Sequence, residues 1–331
     1  MRKLFVPFVV LTLLLITAIP TLAGSYIDIA APRWRQVFPP ISPPVRADHA
    51  MAYDTARGVA VLFGGYVDGF ELNDTWEWIS QTREWVERQP AHRPPARYGH
   101  AMVYDAARGV TVLFGGVGDY FVYLNDTWIW DGNDWTPVFP NTAPDGRWLH
   151  AMAYDTQLQA AVLFGGQAYP STNRGDTWQW DGTAWTQQAI AGPSERYGHA
   201  MTYDTQRDVV VLFGGDDGWG WGTYFNDTWE WTGSGDWAEI LPTRRPPVRK
   251  RFAAAYLATG QQIAIFGGAG SSNDLDDTWV WDGQNWRTKT FNPRPPARGA
   301  HAMVYDPVLG GLLLFGGASS GIGFNDTWLF K

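Results

Sequence analysis

The chain of 331 residues contains no cysteine, and only 18% of its residues carry a charge. The missing thiols exclude disulfide bonds, thiolate metal sites, cysteine nucleophiles and a lipid-modified amino-terminal cysteine. Acidic residues outnumber basic ones, and the formal net charge is −8. This charge argues against a nucleic-acid-binding protein, which needs a basic patch or stripe. The sequence also lacks the nucleophile elbow, the His-Glu-x-x-His motif and the calcium-binding loop that mark common catalytic and metal sites.

Long apolar runs are equally scarce, and the longest lies within residues 4–19. Two basic residues precede it, and a proline and a small-residue cleavage site ending at Ala23 follow it. This pattern is typical of a secretory signal peptide, so we predict a signal peptide over residues 1–23 and a linker over residues 24–33. The alternative is an uncleaved membrane anchor, which would place the protein at a membrane. Both interpretations predict an exported protein, secreted or periplasmic, from a bacterial source.

Glycine, proline and tryptophan are abundant, with 37, 22 and 20 residues, and many belong to a unit that recurs every 49 to 53 residues. A Gly-Gly pair after phenylalanine marks the six copies, at Gly64, Gly115, Gly165, Gly214, Gly267 and Gly316. Asp-Thr-Trp follows in each copy, at Asp74, Asp126, Asp176, Asp227, Asp277 and Asp326. His-Ala-Met precedes the glycines at His49, His100, His150, His199 and His301, and Phe252 replaces the histidine in the fifth copy. Self-similarity at this period indicates a repeat architecture.

Each repeat is predicted to form four short strands, joined by turns such as Asp131-Gly132. The apolar run ending in Gly-Gly, followed by an aromatic residue and a tryptophan, resembles the kelch repeat of the galactose oxidase central domain and of bacterial sialate epimerases. Trp76 and its equivalents stand where many kelch repeats have tyrosine, which is similar to a tryptophan-rich bacterial branch. The resemblance implies an all-β fold, a six-bladed kelch-type β-propeller over residues 34–331. Galactose oxidase chemistry is excluded, because its crosslink needs a cysteine.

The two ends of the chain predict how such a ring closes. The sixth repeat lacks a fourth-strand tryptophan, whereas Trp34 stands alone ahead of the first repeat. Trp34 lies 51 residues before Trp85, in register with the fourth-strand tryptophans of the other repeats. We therefore expect residues 34–38 to form the closing strand of blade six, which pairs an edge that would otherwise stay open. The predicted product is a monomer.

The repeated residues are expected to build this scaffold. The tryptophans are assigned to the core and to packing between blades. The Gly-Gly pairs are assigned to positions of close backbone approach or positive φ. The Asp-Thr pairs are assigned to local hydrogen bonds between side chain and backbone.

An arginine stands three residues before each histidine position, and chain direction places all six on one face. These are Arg46, Arg97, Arg147, Arg196, Arg249 and Arg298. With the histidines, of which His100, His150 and His199 are candidate ligand-binding residues, they are expected to ring the mouth of a central channel. Such a ring would favour a carboxylate or sulfate ligand held bidentately. The alternative is that each arginine stabilises the scaffold and each histidine is a hydrogen-bonded structural residue. We predict that the protein binds no metal and no cofactor.

The loops after the Gly-Gly pairs are expected to open on the same face, and they differ between repeats. Tyr120, Trp219 and Trp221 in these loops, and Trp148 beside Arg147, are not explained by the repeat. Aromatic rings flanked by glycine and aspartate suit stacking against sugars or peptide side chains, and loops on a rigid scaffold are where function concentrates. The alternative is that they cap the ends of the blades.

Three functions remain open from the sequence. The first is an exported, non-enzymatic module that binds a glycan or a protein through this loop face. The second is an epimerase or lyase acting on an acidic sugar, for which the arginines and histidines would supply an anion clamp and acid–base groups. The third is a structural or adhesion component of a cell-surface assembly. No catalytic constellation stands out, so the first hypothesis is preferred.

Overall fold

The computed structural model describes residues 33–218 and 222–331 of the chain. The predicted signal peptide, the linker up to residue 32 and the candidate residues Trp219 and Trp221 lie outside the described residues. In the described part, regular structure consists of β-strands and a single 3-10 turn at Asp119–Phe121. No helix among these residues is long and apolar enough to cross a membrane.

Six antiparallel four-stranded sheets, numbered here in chain order, make up most of this described part. Sheets one and two comprise Ala50–Asp54, Val59–Val67, Phe70–Ile79 and Glu84–Arg88, then Ala101–Asp105, Val110–Phe114, Thr127–Trp130 and Trp135–Val138. Sheets three and four comprise Ala151–Asp155, Ala160–Phe164, Thr177–Trp180 and Trp185–Gln188, then Ala200–Asp204, Val209–Asp216, Tyr224–Trp231 and Ala238–Ile240. Sheet five comprises Ala253–Leu257, Gln262–Phe266, Thr278–Trp281 and Trp286–Lys289. Sheet six comprises Ala302–Asp306, Gly311–Phe315, Thr327–Phe330 and, as its outermost strand, Trp34–Val37.

The sequence explains why each repeat forms such a sheet. The second strand is a continuous apolar run, and in sheet three all five of its residues are buried, as expected for a strand covered on both faces. Its neighbours supply tryptophans, and rings such as Trp130 and Trp135 pack against each other at a centroid distance of 5.4 Å. The prediction of an all-β fold built from four-stranded repeats is therefore confirmed.

The strand Trp34–Val37 pairs with Thr327–Phe330 over four residues, from Trp34 opposite Phe330 to Val37 opposite Thr327. Trp34 is fully buried, and its ring contacts Phe266 and Phe330 at centroid distances of 5.2 Å each. A segment near the beginning of the chain thus completes the sheet that the last repeat leaves with three strands.

The first strands of the six sheets contact one another in chain order, and the first strand of sheet six contacts that of sheet one. Together they line a cavity of about 330 Å³ with methionines at one level and tyrosines at the next. Ala254 takes the methionine position in sheet five. The sheets therefore share a common central axis, with their innermost strands around it.

Short strands at one end of this axis arrange the variable residues. They are Val117–Gly118 with Val122–Tyr123, Arg147–Trp148 with Gln167–Ala168 and Thr172–Asn173, and Ala318–Ser319 with Ile322–Gly323. In sheet three the strand Arg147–Trp148 of the connector pairs with Gln167–Ala168 after the glycines. In the other sheets a single β-bridge joins these two segments, as between Ala47 and Tyr66. In every sheet the connector before the first strand therefore pairs with the segment after the Gly-Gly pair. We call the surface formed by these connectors and post-glycine loops the loop face.

Candidate functional site

Each of the six arginines on the loop face is buried inside a sheet, with no exposed surface. Arg97 is representative: its two terminal nitrogens donate to the two carboxylate oxygens of Asp126, each at 2.7 Å. The same guanidinium donates to the carbonyls of Gly115 and Pro95, both at 3.0 Å. The other pairs are Arg46–Asp74, Arg147–Asp176, Arg196–Asp227, Arg249–Asp277 and Arg298–Asp326. Each arginine thus ties the connector of its sheet to the exit of the second strand and the start of the third.

Five of the six carboxylates have a pKa below the usual value of aspartate. Burial alone would raise the pKa of Asp126, but hydrogen bonds and charge from Arg97, together with the indole of Trp128, lower it below its usual value. The pKa values of Asp74, Asp176, Asp227 and Asp277 are lowered for the same reasons. The expected ring of arginines at the channel mouth is therefore corrected, because the guanidinium groups are withdrawn from solvent and fully paired. This geometry matches the scaffold alternative.

The assignment of the Asp-Thr pairs to local hydrogen bonds between side chain and backbone was incomplete. The aspartate carboxylate does bond to its own amide, as at Asp126, but the other partners of the pair lie elsewhere. The aspartate accepts from an arginine 28 to 31 residues earlier in the chain. The threonine hydroxyl accepts from the fourth-strand tryptophan of the next sheet, as from Trp135 to Thr75 at 2.9 Å. The remaining pairs are Trp185 to Thr127, Trp237 to Thr177, Trp286 to Thr228, Trp34 to Thr278 and Trp85 to Thr327. The motif thus joins neighbouring sheets, which short sequence spacing could not reveal.

The five histidines are packing residues. His100 is 6% exposed and lies edge-on to Phe63 of the preceding sheet, with ring centroids 5.6 Å apart. Phe252 takes the same position against Phe213 at 5.7 Å, so an apolar ring also fits there. Burial first, and then the charge of the nearby arginine, lower the pKa of His49, His100, His150, His199 and His301. Among the described residues, no group of three or more histidine, aspartate or glutamate side chains is arranged to hold a metal ion.

The residues just before the histidine position form a closed series of hydrogen bonds around the axis. All six have positive φ, between 50° and 66°: Asp48, Gly99, Leu149, Gly198, Arg251 and Ala300. The amide of each donates to the carbonyl of its counterpart in the preceding sheet at 2.7–2.8 Å, and Asp48 donates to Ala300. They line a cavity of about 100 Å³ together with the histidines and Phe252. The Arg251 guanidinium reaches both carboxylate oxygens of Asp48 beside this cavity.

The next position outward varies between the sheets, with tyrosine in two of them, and gives the loop face its asymmetry. It holds Ala47, Tyr98, Trp148, Tyr197, Lys250 and Gly299 in sheets one to six. Tyr98 and Trp148 at this position, together with Tyr66 after the glycines of sheet one, form a continuous arc of rings. The centroid distances are 5.1 Å from Tyr66 to Tyr98 and 5.6 Å from Tyr98 to Trp148. Trp148 is half-buried, and its indole N–H donates to Gln167 at 3.3 Å. Sheets five and six carry alanine, glycine and serine around the corresponding groove.

Beside this arc the loops of sheets one to three hold four exposed aromatic residues. Tyr120 is 97% exposed, Phe121 and Tyr169 are each 76% exposed, and Phe70 is 71% exposed. Tyr120 and Phe121 both have positive φ, at 57° and 59°, which is strained for bulky side chains. Such strain concentrates at functional sites. We name the seven residues Tyr66, Phe70, Tyr98, Tyr120, Phe121, Trp148 and Tyr169 the aromatic sector.

A polar pocket of about 380 Å³ lies between sheets four and five on the same face. The Lys250 ammonium donates to Asp216 and, at 3.0 Å, to the hydroxyl of Tyr197, which in turn donates to Asp216 at 3.1 Å. The same ammonium lies 4.6 Å from the ring centroid of Tyr224. Burial opposes the charge on Lys250, but hydrogen bonds to Asp216 and Tyr197 outweigh it and raise its pKa. Burial raises the pKa of Tyr197, which therefore stays protonated.

The structure separates the predicted site residues into two groups. The six arginines with His100, His150 and His199 belong to the scaffold, whereas Tyr120 and Trp148 lie in the aromatic sector. Lys250 and Arg251 stand out in the sequence as extra charge in the fifth repeat, but their pairing with Asp216 and Asp48 was missed, as was Tyr98. Aligning the six repeats at the position after the arginine would have revealed Tyr98, because the residue type at that position varies between sheets.

A family model described as the KLHDC2/KLHL20/DRC7 Kelch-repeats domain matches residues 48–192 and 159–331. The two matches overlap and together include all six sheets apart from the strand Trp34–Val37. No curated protein sequence matches the chain.

Proposed function

The chain belongs to the kelch-repeat family, whose domains generally bind protein partners, and from this premise we propose that its aromatic sector binds a partner protein. One observation carries the proposal. The residues that the repeats share are buried, whereas five large aromatic side chains that vary between repeats are exposed on sheets one to three: Tyr66, Phe70, Tyr120, Phe121 and Tyr169. Exposed apolar groups grouped in this way mark interaction sites.

The physical case rests on rigidity as well as exposure. Aromatic side chains dominate binding energy at protein interfaces because they bury much area with few rotatable bonds. Tyr66, Tyr98 and Trp148 are ordered against one another by ring contacts, and Trp148 is further fixed by Gln167. The backbone at Tyr120 and Phe121 is held in a strained conformation that displays both rings. A partner therefore meets a preorganised surface, which reduces the entropy lost on binding.

The proposal includes a six-bladed propeller as the scaffold, with each four-stranded sheet as one blade. Three observations support a closed ring: the pairing of Trp34–Val37 with Thr327–Phe330, the cyclic series of amide hydrogen bonds, and the tryptophan-to-threonine bonds between successive sheets. Closure leaves no long strand edge open and is consistent with a monomer. Export through the predicted signal peptide, from a bacterial source, remains part of the same proposal.

A glycan is the second candidate ligand, and the polar pocket between sheets four and five supports it. The pocket offers the hydroxyl of Tyr197, the carboxylate of Asp216 and the ammonium of Lys250 beside the ring of Tyr224. This mixture of aromatic face and fixed polar groups suits a sugar. A glycan array probed with the full chain and with the Lys250→Met variant tests this second proposal. Glycans that bind the unaltered chain should give a weaker signal with the variant. The epimerase hypothesis loses its anion clamp because the six arginines are buried, and the adhesion hypothesis remains a prediction.

Photo-crosslinking in the source cells tests the protein-binding proposal. Benzoylphenylalanine is introduced at Phe70 or Tyr120, and as controls at Leu158 and Val308, which are exposed apolar residues in turns away from the loop face. We expect the same partner to be crosslinked from both loop-face positions and not from the controls. Equal crosslinking from all four positions, or none from the loop face, would contradict the proposal.

A further inference from the structure

Three carboxylates belong to the same loops as the aromatic sector. Their side chains have no hydrogen-bond or ion-pair partner among the described residues. Asp68 and Glu71 flank Phe70 in the hairpin of sheet one, and Asp119 precedes Tyr120 in the loop of sheet two. Starting from the proposed function, on which this step rests, we infer that the partner segment is cationic. Its arginine or lysine side chains lie against the rings of the aromatic sector and pair with these three acids.

The carboxylates of the loop face differ in whether the chain neutralises them. Asp145 pairs with Arg174 at 2.9 Å, Asp216 with Lys250, and Asp276 with Arg294 at 2.7 Å, whereas Glu195 and Asp274 of sheets four and five have no ion pair among the described residues. Asp68, Glu71 and Asp119 have no basic neighbour of this kind. The unpaired negative charge thus lies beside the exposed rings. A cationic side chain of a partner can pair with the carboxylates and make cation–π contacts with the rings.

The negative potential reaches the rings themselves. Burial first, and then the charges of Glu71 and Asp48, raise the pKa of Tyr98 to about 12. Glu71 also stands directly opposite Tyr66 across the hairpin, so one carboxylate adjoins two rings of the arc. Because Asp48 is already paired with Arg251, Glu71 is the acid at this position that is open to a partner.

The fold contains its own example of the contact we infer. Tyr197 occupies in sheet four the position that Tyr98 occupies in sheet two. There the Lys250 ammonium lies 5.1 Å from the Tyr197 ring centroid, donates to its hydroxyl and pairs with Asp216. At Tyr98, which is only 9% exposed, the following sheet places the Trp148 ring where Lys250 lies against Tyr197. A ligand cation would instead make the equivalent contact at the neighbouring exposed ring of Tyr66, which stands opposite Glu71.

Fluorescence anisotropy with three labelled twelve-residue peptides tests the inference on the full chain. The peptides share one glycine, serine, leucine and proline background and differ only at four positions, which are arginine, glutamine or glutamate. We expect the arginine peptide to bind at least tenfold more tightly than the other two, and more weakly as salt rises. Glu71→Gln with Asp119→Asn should weaken it at least threefold. Glu87→Gln with Glu239→Gln, exposed acids on outer strands that remove the same net charge, should leave it unchanged.

The outcomes separate the inference from the proposed function. Equal or tighter binding of the glutamine or glutamate peptide, or an equal effect of the two charge variants, overturns the inference, as does failure of the arginine peptide to bind. If Phe70→Ala with Tyr120→Ala weakens all three peptides equally while the charge variants do nothing, the inference fails and the proposed function stands. If the charge variants alone weaken the arginine peptide, the cationic preference stands and the role of the aromatic sector is contradicted.

Discussion

Removing one carboxylate from a buried arginine is the sharpest stability test of the scaffold. In sheet four, Asp227 is 18% exposed in its side chain and accepts from the fully buried Arg196 at 2.7 and 2.8 Å. It also accepts from the indole of Trp229 at 2.7 Å. Asp227→Asn keeps the shape but leaves the guanidinium without its counter-charge, and breaking a buried ion pair in this way costs about 3 to 5 kcal/mol. For a domain of this size, that lowers Tm by roughly 6 to 10 °C.

Urea unfolding followed by tryptophan fluorescence measures the loss, with Glu239→Gln on the outer strand of the same sheet as the control. That substitution removes an exposed charge and should change stability by less than about 0.5 kcal/mol. The sign of the pH dependence is fixed, because the folded pKa of Asp227 is lowered. The stability that ionised Asp227 contributes is present above its unfolded pKa of about 4. It is lost as the pH falls through the lower pKa of the folded state. An Asp227→Asn variant as stable as Glu239→Gln would refute the stabilising role of the Arg196–Asp227 pair.

Trp34→Ala should lower stability by about 3 to 5 kcal/mol by emptying a fully buried site, whereas Phe38→Ala, at an 82% exposed residue of the same segment, should change little. Equal denaturation midpoints for the two variants would contradict closure by residues 34–38. His199→Phe should reduce the acid sensitivity of the fold. Burial lowers the pKa of His199 to about 3 in the folded state. Because the unfolded chain takes up the proton more readily, the free energy of unfolding decreases as the pH falls below the unfolded pKa of about 6.5, by about 1.4 kcal/mol per pH unit. Urea midpoints at pH 7 and pH 5 check this, and an unchanged difference between them would show that His199 does not titrate as described.

Repetition is what made the fold predictable from the sequence. A residue that recurs at the same place in six units has to serve all six, so the tryptophans could be assigned to packing and the Gly-Gly pairs to close backbone approach or positive φ. Gly116 illustrates the second case: its φ is 100°, and a Cβ there would lie 2.9 Å from the carbonyl oxygen of Tyr98. The partners of Asp-Thr-Trp could not be assigned, because they lie in another sheet or some thirty residues away.

The candidate site was only partly predictable. The exposure of Tyr120 followed from a loop that varies between repeats, and the structure agrees. The burial of the arginines did not follow, because one sequence pattern fits both a solvent-facing ring and a paired ring. The pairing of Lys250 with Asp216 depends on a contact between neighbouring sheets that periodicity alone does not locate.

The affinity of the crosslinked partner for paired variants tests the central claim most directly. Phe70→Ala with Tyr120→Ala changes the aromatic sector, and Leu158→Ala with Val308→Ala removes comparable exposed apolar groups from distant turns. We predict that the first pair raises Kd at least tenfold while Tm stays within 2 °C, about 1 kcal/mol, of the unaltered protein, and that the second pair leaves Kd within twofold. Equal affinities for the two double variants would contradict a partner-binding site on the aromatic sector.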